Sequence, residues 1–341
     1  MSDGAARDEA GLHQARPDEA GPEEARSYEA RSDQARPNAA GPGIGALRHR
    51  RDLQSLAYLI AQPLLALWQW RHGFSLPLYA LMLYLAIAIS VIHHNHAHLP
   101  MWRGRWRNRC TDLLITVLQG HPTFVFHPAH NRNHHRHRHG PGDVARTWRF
   151  GDHNHALGWL LHPLQAIAVI YPFLFDWLRG VRRRAPGAYR WYLLQYAAWL
   201  GSWAALLAID PGKALALVIL PQLLGLHWLL SANYLQHAHA DDAARFGYAR
   251  NFEGWLNPLL FNIGLHTAHH EHGRAHWSEL PRLHHRYRPL IDPRLLEASF
   301  AGYAWRVFVL GPFLPQYRSR SLRPADTCAA VDGPATTAKD C

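Results

Sequence analysis

The chain has 341 residues, enough for one large domain or two small ones, and its 36 Lys+Arg against 25 Asp+Glu leave a net charge of +11. Such a balance permits nucleic acid, anionic lipid or acidic substrates as partners, and long apolar runs narrow that choice towards lipid. Three cysteines, Cys110, Cys328 and Cys341, show no zinc-type pairing, so reduced thiols are expected and a disulfide framework is excluded.

Residues 1–50 form a compositional unit of their own. "EAGLHQARPD", "EAGPEEARSY" and "EARSDQARPN" repeat with a period of ten, nine acids and seven arginines nearly cancel, and apolar residues to pack are lacking. The segment reads as a disordered tail without the apolar core of a signal peptide. The domain proper is expected over 51–318, with a second loose, polar tail over 319–341.

A membrane span needs roughly 20 apolar residues, because about 30 Å of hydrocarbon divides by a rise of about 1.5 Å per residue. Leu53–Trp70 and Phe74–Ile92 meet that length and are joined by a very short turn, which predicts a helical hairpin. Trp191–Ile209 and Ala214–Leu230 predict a second hairpin around "DPGK", weakened by Gln222 and His227. The mean hydropathy of −0.25 is low for such a chain because polar ends and His-rich loops dilute it.

Leu157–Trp177 is also apolar but is interrupted by His162-Pro163. Basic residues crowd Arg48–Arg51, Arg103–Arg109, Arg132–Arg149 and Arg179–Arg184, whereas the hairpin turns carry only Arg71 and Lys213. The positive-inside rule then puts the four basic regions together in the cytoplasm. A spanning Leu157–Trp177 would send Arg182, Arg183 and Arg184 to the other side. It is therefore expected in the cytoplasmic interface, with "TDLLITVL" (111–118) and Tyr303–Leu314. The predicted fold is all-α and integral to the membrane: four transmembrane helices as two hairpins, interfacial helices, and a cytoplasmic His-rich cap.

Histidine is the outlier of the composition, at 27 residues. "HHNHAH" (93–98) begins where the second span ends, "HPAHNRNHHRHRH" (127–139) follows a short interfacial segment, "NYLQHAHA" (233–240) continues the fourth span, and "HTAHHEHG" (266–273) comes after it. Two hairpins thus hold clusters that are distant in sequence near one membrane face. His94 and His98 share a helix face at i,i+4. His130, His134 and His135 give H-x3-HH, and His266, His269 and His270 give H-x2-HH. Each pattern lets one helical turn present two or three rings towards a common centre. Neutral imidazole suits iron, zinc or copper through one nitrogen while the other donates to a neighbour. Eight such ligands exceed the needs of one ordinary site and favour two metals.

These three boxes, separated by two hairpins, resemble the integral-membrane fatty acid desaturase and hydroxylase superfamily over roughly residues 53–295. The resemblance implies a centre of two non-haem iron ions held by His94, His98, His130, His134, His135, His266, His269 and His270, with O2 as co-substrate. "NYLQH" is similar to the stretch that supplies one more His in membrane alkane hydroxylases, which makes His237 a ninth ligand, with Asn233 as its rival. Box one reads "HNHAH" without the His-Glu opening common among relatives, so His93 or His96 stands as an alternative to His94. Box two, flanked by His127, His137 and His139, has an alignment that can slip. The other histidines (His121, His153, His155, His272, His276, His284, His285) read as surface residues or as neighbours of the ligands. Glu271, Asp143 and Asp152 are candidates to orient a ligating imidazole.

The resemblance further implies an O2-dependent fatty acyl desaturase, with a hydroxylase or ketolase acting on acyl, alkane or carotenoid substrates as the alternative. No C-x-x-C-H or Cys-rich cluster is present, so electrons are expected from a separate ferredoxin-like protein and its reductase. The substrate is expected to be a membrane lipid or acyl thioester. The basic face with Arg103, Arg105, Arg107 and Arg132 suits an anionic headgroup, an acyl-carrier thioester or an acidic electron carrier, but the positive-inside rule alone is the simpler explanation and the favoured one. A His-rich metal transporter would need ionisable residues inside the spans, which hold little beyond His227. Nucleic acid is not an expected partner, because the basic stretches adjoin spans and match no binding module.

Overall fold

The computed structural model describes residues 45–147 and 154–323. The ten-residue repeats, Arg149, Asp152, His153, Cys328, Cys341 and the end of the chain lie outside the described residues. The architecture is helical: α1 (Asp52–His72), α2 (Leu76–His98), α3 (Arg105–Gln119), α4 (Ala156–Arg184), α5 (Pro186–Ile209), α6 (Pro211–His237), α7 (His266–Glu271), α8 (Leu280–Tyr287) and α9 (Phe300–Leu310). One short parallel pair, β1 (Asn251–Phe252) with β2 (Leu296–Glu297), ties the loop before α7 to the segment before α9.

Two antiparallel hairpins, α1–α2 and α5–α6, form the frame, and α2 packs against both α1 and α6. Local chemistry explains their turns. Gly73 ends α1 at φ 99°, a left-handed conformation that suits glycine, and the buried Gln69 side chain accepts the Ser75 N–H at 3.1 Å. In "DPGK" the Asp210 carboxylate caps α6 by accepting the Lys213 N–H at 3.0 Å, with Pro211 at the first helical position. The two turns meet at one end of the frame, where Lys213 Nζ donates to the Trp70 carbonyl at 3.0 Å. All the histidine boxes lie at the other end. Gln222, the polar blemish of the fourth span, is satisfied: its Oε1 accepts from the Trp203 indole at 2.6 Å and its Nε2 donates to the Val117 carbonyl at 2.8 Å.

Among the described residues, four helices are long and apolar enough to cross a membrane: α2, α4, α5 and α6. That set differs from the sequence expectation, which had Leu53–Trp70 in place of Leu157–Trp177. α1 has the length, at 21 residues, but Gln54, Gln62 and Gln69 dilute its apolar run. α4 is continuous through Pro163 and Pro172, so the expected interruption at His162-Pro163 does not occur. Each proline forfeits one backbone hydrogen bond, and a buried stripe from His162 through Ala166, Ile170 and Leu174 to Val181 holds the helix against its neighbours.

The contacts of α4 nonetheless run along the histidine end. Near its start Trp159 stacks on Phe308, with ring centroids 5.6 Å apart. Its middle packs Ala166 and Ile170 against Ala129, and its last turns pack Trp177 and Leu178 against Phe124. Ala185 then turns the chain into α5, whose Trp191 lies under the Arg109 guanidinium at 5.1 Å. A helix that begins, runs and ends beside the cap lies across its base, with Leu157, Leu160, Leu161, Leu164 and Phe175 exposed. With α4 placed there, the charge expectation keeps the hairpins α1–α2 and α5–α6 as the crossing helices, whereas length and hydropathy alone select α2, α4, α5 and α6.

The packed chain also reaches beyond both expected domain limits. Leu47 is buried and pairs with Trp102, the Arg48 side chain donates to the Pro100 carbonyl at 2.9 Å, and the Leu322 N–H donates to the His239 carbonyl at 3.0 Å.

Candidate metal centre

The last turns of α2 and α6, a π-helix at His127–His134 that continues as a short α-turn to His137, and α7 converge at the histidine end. Nine imidazoles meet there in two adjoining clusters. In the first, the ligating nitrogens of His94, His98, His130 and His269 lie within 4.8 Å of one another. His135 joins them, with Nε2 at 3.2 Å from His130 Nε2 and 3.0 Å from His269 Nε2. In the second, His134, His237, His266 and His270 gather within the same limit. The rings of His135 and His270 stack at 4.4 Å and so join the two clusters.

The wide helix explains how adjacent residues serve different clusters. An α-turn would aim His130 and His134 the same way. The longer π repeat instead aligns His130 with His135, five residues on, and turns His134 towards α6. Box three divides on an ordinary α-turn: His266 and His270 face the second cluster and His269 the first. The sequence reading gave each box one common centre. That picture holds for His94 and His98, whereas the other two boxes split.

In three of the rings the outer nitrogen is engaged, and the inner nitrogens converge. His134 Nδ1 donates to Asp143 Oδ2 at 2.7 Å, and both side chains are fully buried. His237 Nδ1 donates to the Tyr248 carbonyl at 2.7 Å. His94 Nδ1 donates to Asn95 Oδ1 at 3.0 Å. Three partners thereby put the proton on Nδ1 and leave Nε2 as a lone pair. Inside, His94 Nε2 stands 3.0 Å from His130 Nε2, and His237 Nε2 stands 3.0 Å from His266 Nε2. Nε2 of His98 and of His134 is buried with no hydrogen-bond partner at all. Lone pairs crowded at 3 Å repel unless a cation sits between them. Nitrogens bound at about 2.1 Å to one metal at right angles are separated by about 3 Å. The residues therefore fit metal.

Burial, and then the neighbouring rings, hold His130, His135, His266, His269 and His270 well below the usual histidine pKa. They are neutral at pH 7, the form that ligates. Burial works against ionisation of Asp143, but His134 and the N–H groups of Ala145 and His139 outweigh it and bring Asp143 to about 2.

The alternatives left open by the sequence are placed elsewhere. His93 is hydrogen-bonded through Nδ1 to Gln119 and through Nε2 to the Thr123 carbonyl at 3.1 Å. His96 accepts the Met101 N–H at Nδ1 and faces Asp112 with Nε2, 3.5 Å away. Asn233 donates to the Ala145 carbonyl at 3.2 Å. His139 forms a small group with His134 and Asp143 and accepts the Thr147 N–H at 2.9 Å. His155 caps α4, His272 meets the Tyr287 hydroxyl, His276 faces Asp52 and His284 faces Glu253. Of the proposed orienting acids, Asp143 touches a clustered ring. Glu271 instead accepts the Tyr248 hydroxyl at 2.7 Å and steadies the residue whose carbonyl holds His237. Asn95 and the Tyr248 carbonyl were invisible to sequence reasoning, since neither belongs to a recognisable pattern.

A family model described as "Fatty acid desaturase" matches residues 68–301. No curated protein and no solved structure matches the chain.

Proposed function

Since the chain belongs to the fatty acid desaturase family, an oxidoreductase family of di-iron histidine-box enzymes, we propose that it is an O2-dependent membrane desaturase that introduces a double bond into an acyl chain. The observation that carries this reading is the convergence of nine imidazoles, six of them buried and three partly buried, into two adjoining clusters at one end of the two hairpins. The ligand set is His94, His98, His130, His135 and His269 for one iron and His134, His237, His266 and His270 for the other. When bound, the irons supply the O2 chemistry needed to take hydrogen from an unactivated methylene, which no side chain can do.

The protein's own contribution is position and exclusion. Asp143, Asn95 and the Tyr248 carbonyl fix the tautomers of His134, His94 and His237. Outer partners of this kind typically change metal affinity 10–100-fold. Full burial of His134 and His237 keeps bulk water from the inner nitrogens. The basic stretches support a cytoplasmic histidine face under the positive-inside rule. Electrons then come from a ferredoxin-like carrier, and the acyl chain enters from the bilayer as lipid or thioester.

Expression in a host with simple lipids tests the reaction. Loss of two hydrogens from a host acyl chain marks desaturation, and gain of one oxygen marks a hydroxylase or ketolase instead. His134→Ala and His270→Ala are expected to abolish product while the protein stays in the membrane. Product retained in both variants rules the assigned ligands out.

A further inference from the structure

Beside the centre lies a cavity of about 400 Å³, its open mouth included, whose lining includes His98, His269 and Asn95 together with Asp52, Ser55 and His276. It has room for about one or two ordered waters among polar partners. His276 Nδ1 accepts the Ser278 N–H at 3.2 Å, which puts its proton on Nε2, where Asp52 Oδ1 accepts at 3.2 Å. The Trp277 indole and the Ser55 hydroxyl donate to the same carboxylate oxygen, each at 3.3 Å. Asp52 and His276 are only 5% and 4% exposed. On the outer side His49 stacks on His276 at 3.9 Å. Burial and then His276 lower the pKa of His49 to about 4, with Arg48 and Arg103 nearby acting the same way. His96 completes the ionisable lining. A buried acid–imidazole pair stabilises a fold no better than apolar residues of equal volume, and neither residue belongs to the metal clusters.

We propose that this cavity is the water and proton route into the metal centre, with the Asp52–His276 pair as its relay. The proposal rests on the oxidative reading above. Each desaturation reduces O2 to two waters, using two hydrogens from the acyl chain, two electrons from the donor protein and two protons from bulk water. Those protons must reach a centre most of whose rings are buried. His276 Nε2 passes its proton to the Asp52 carboxylate, which hands it on to cavity water. The imidazole recovers its proton at Nδ1, where the Ser278 hydroxyl stands 2.8 Å away, and a flip of the ring restores the starting tautomer.

The holoenzyme, supplied with reduced donor and O2, tests the relay. Asp52→Asn is expected to lower kcat about 10-fold or more, in the range of general acid–base effects. KM for the acyl substrate stays unchanged, the solvent deuterium isotope effect rises, and Asp52→Glu restores most of the rate. Ala275→Phe fills the cavity from its wall without altering Asp52 and is expected to give the same signature. A readout without turnover is hydroxyl-radical footprinting of the metal-free protein. Met101, a lining residue only 3% exposed, is labelled in the parent protein and protected in Ala275→Phe. Wild-type kcat and isotope effect in both Asp52→Asn and Ala275→Phe overturn the relay, and an unlabelled Met101 overturns the water route. If the parent protein oxidises no acyl chain at all, the oxidative reading fails instead, and the Met101 label alone decides whether the cavity carries water.

Discussion

Single side chains decide which nitrogens are free to bind. His93, His94 and His96 are near-equivalent in sequence, yet His93 and His96 spend both ring nitrogens on Gln119, Thr123, Met101 and Asp112. His94→Ala is therefore expected to lower the metal content of the purified protein, measured by elemental analysis, while His93→Ala leaves it at the parent level. Loss of metal from the second variant and not the first would reverse the assignment. Asp143→Asn weakens the grip on the His134 Nδ1–H and is expected to reduce metal affinity about 10–100-fold in chelator competition. The clustered imidazoles also set a pH dependence. Folding lowers the pKa of His130, His135, His266, His269 and His270, so below about 6.5 the unfolded chain binds more protons than the folded one. Thermal melts of the metal-free protein are expected to show full stability above that pH and progressive loss below it. A melting temperature that rises on acidification contradicts neutral, buried rings.

At the scale of elements, the boxes are presented by helix ends whose positions depend on close packing above them. A Cβ on Gly225 of α6 would stand 2.7 Å from the Ala86 carbonyl oxygen of α2, a backbone atom that cannot swing aside. Gly225→Val is expected to force α2 and α6 apart and cost about 1–3 kcal/mol. That loss reads as a lower melting temperature and, because His94, His98 and His237 ride on those helices, as reduced metal content. Unchanged values in both measurements would show the approach to be slack. Helix existence was legible here from apolar length, and the second hairpin from the turn at "DPGK". The π-helix was not. Its sequence, "HPAHNRNH", carries no periodicity to favour a wide turn over an α-turn, so the separation of His134 from His135 became visible only when their partners on α6 and α7 were in place.

For the whole molecule, the arrangement predicts sidedness. Cysteines placed at Ser75 and Gly212, in a background lacking native cysteines, are expected to react with an impermeant thiol reagent from one side of a sealed vesicle. Cysteines at Arg182 and Arg274 are expected to react from the other. Labelling of the Arg182 site together with Ser75 would make α4 a crossing helix and overturn the two-hairpin frame. Hydropathy alone ranks α4 above α1 as a span, and charge alone ranks them in reverse. The contacts of Trp159, Ala166 and Trp177 with the cap side with the charge.

The sequence by itself determined the chemistry and its inventory. Apolar runs of spanning length set the solvent, and imidazoles at helical spacing set the donor atoms, because both are properties of short segments. What only the tertiary structure decided was how the donors are shared: which of three neighbouring histidines faces inward, how adjacent rings part to separate clusters, and which carbonyls and carboxylates hold their protons. Those outcomes depend on atoms contributed by remote parts of the chain, and no local pattern encodes where such atoms come to rest.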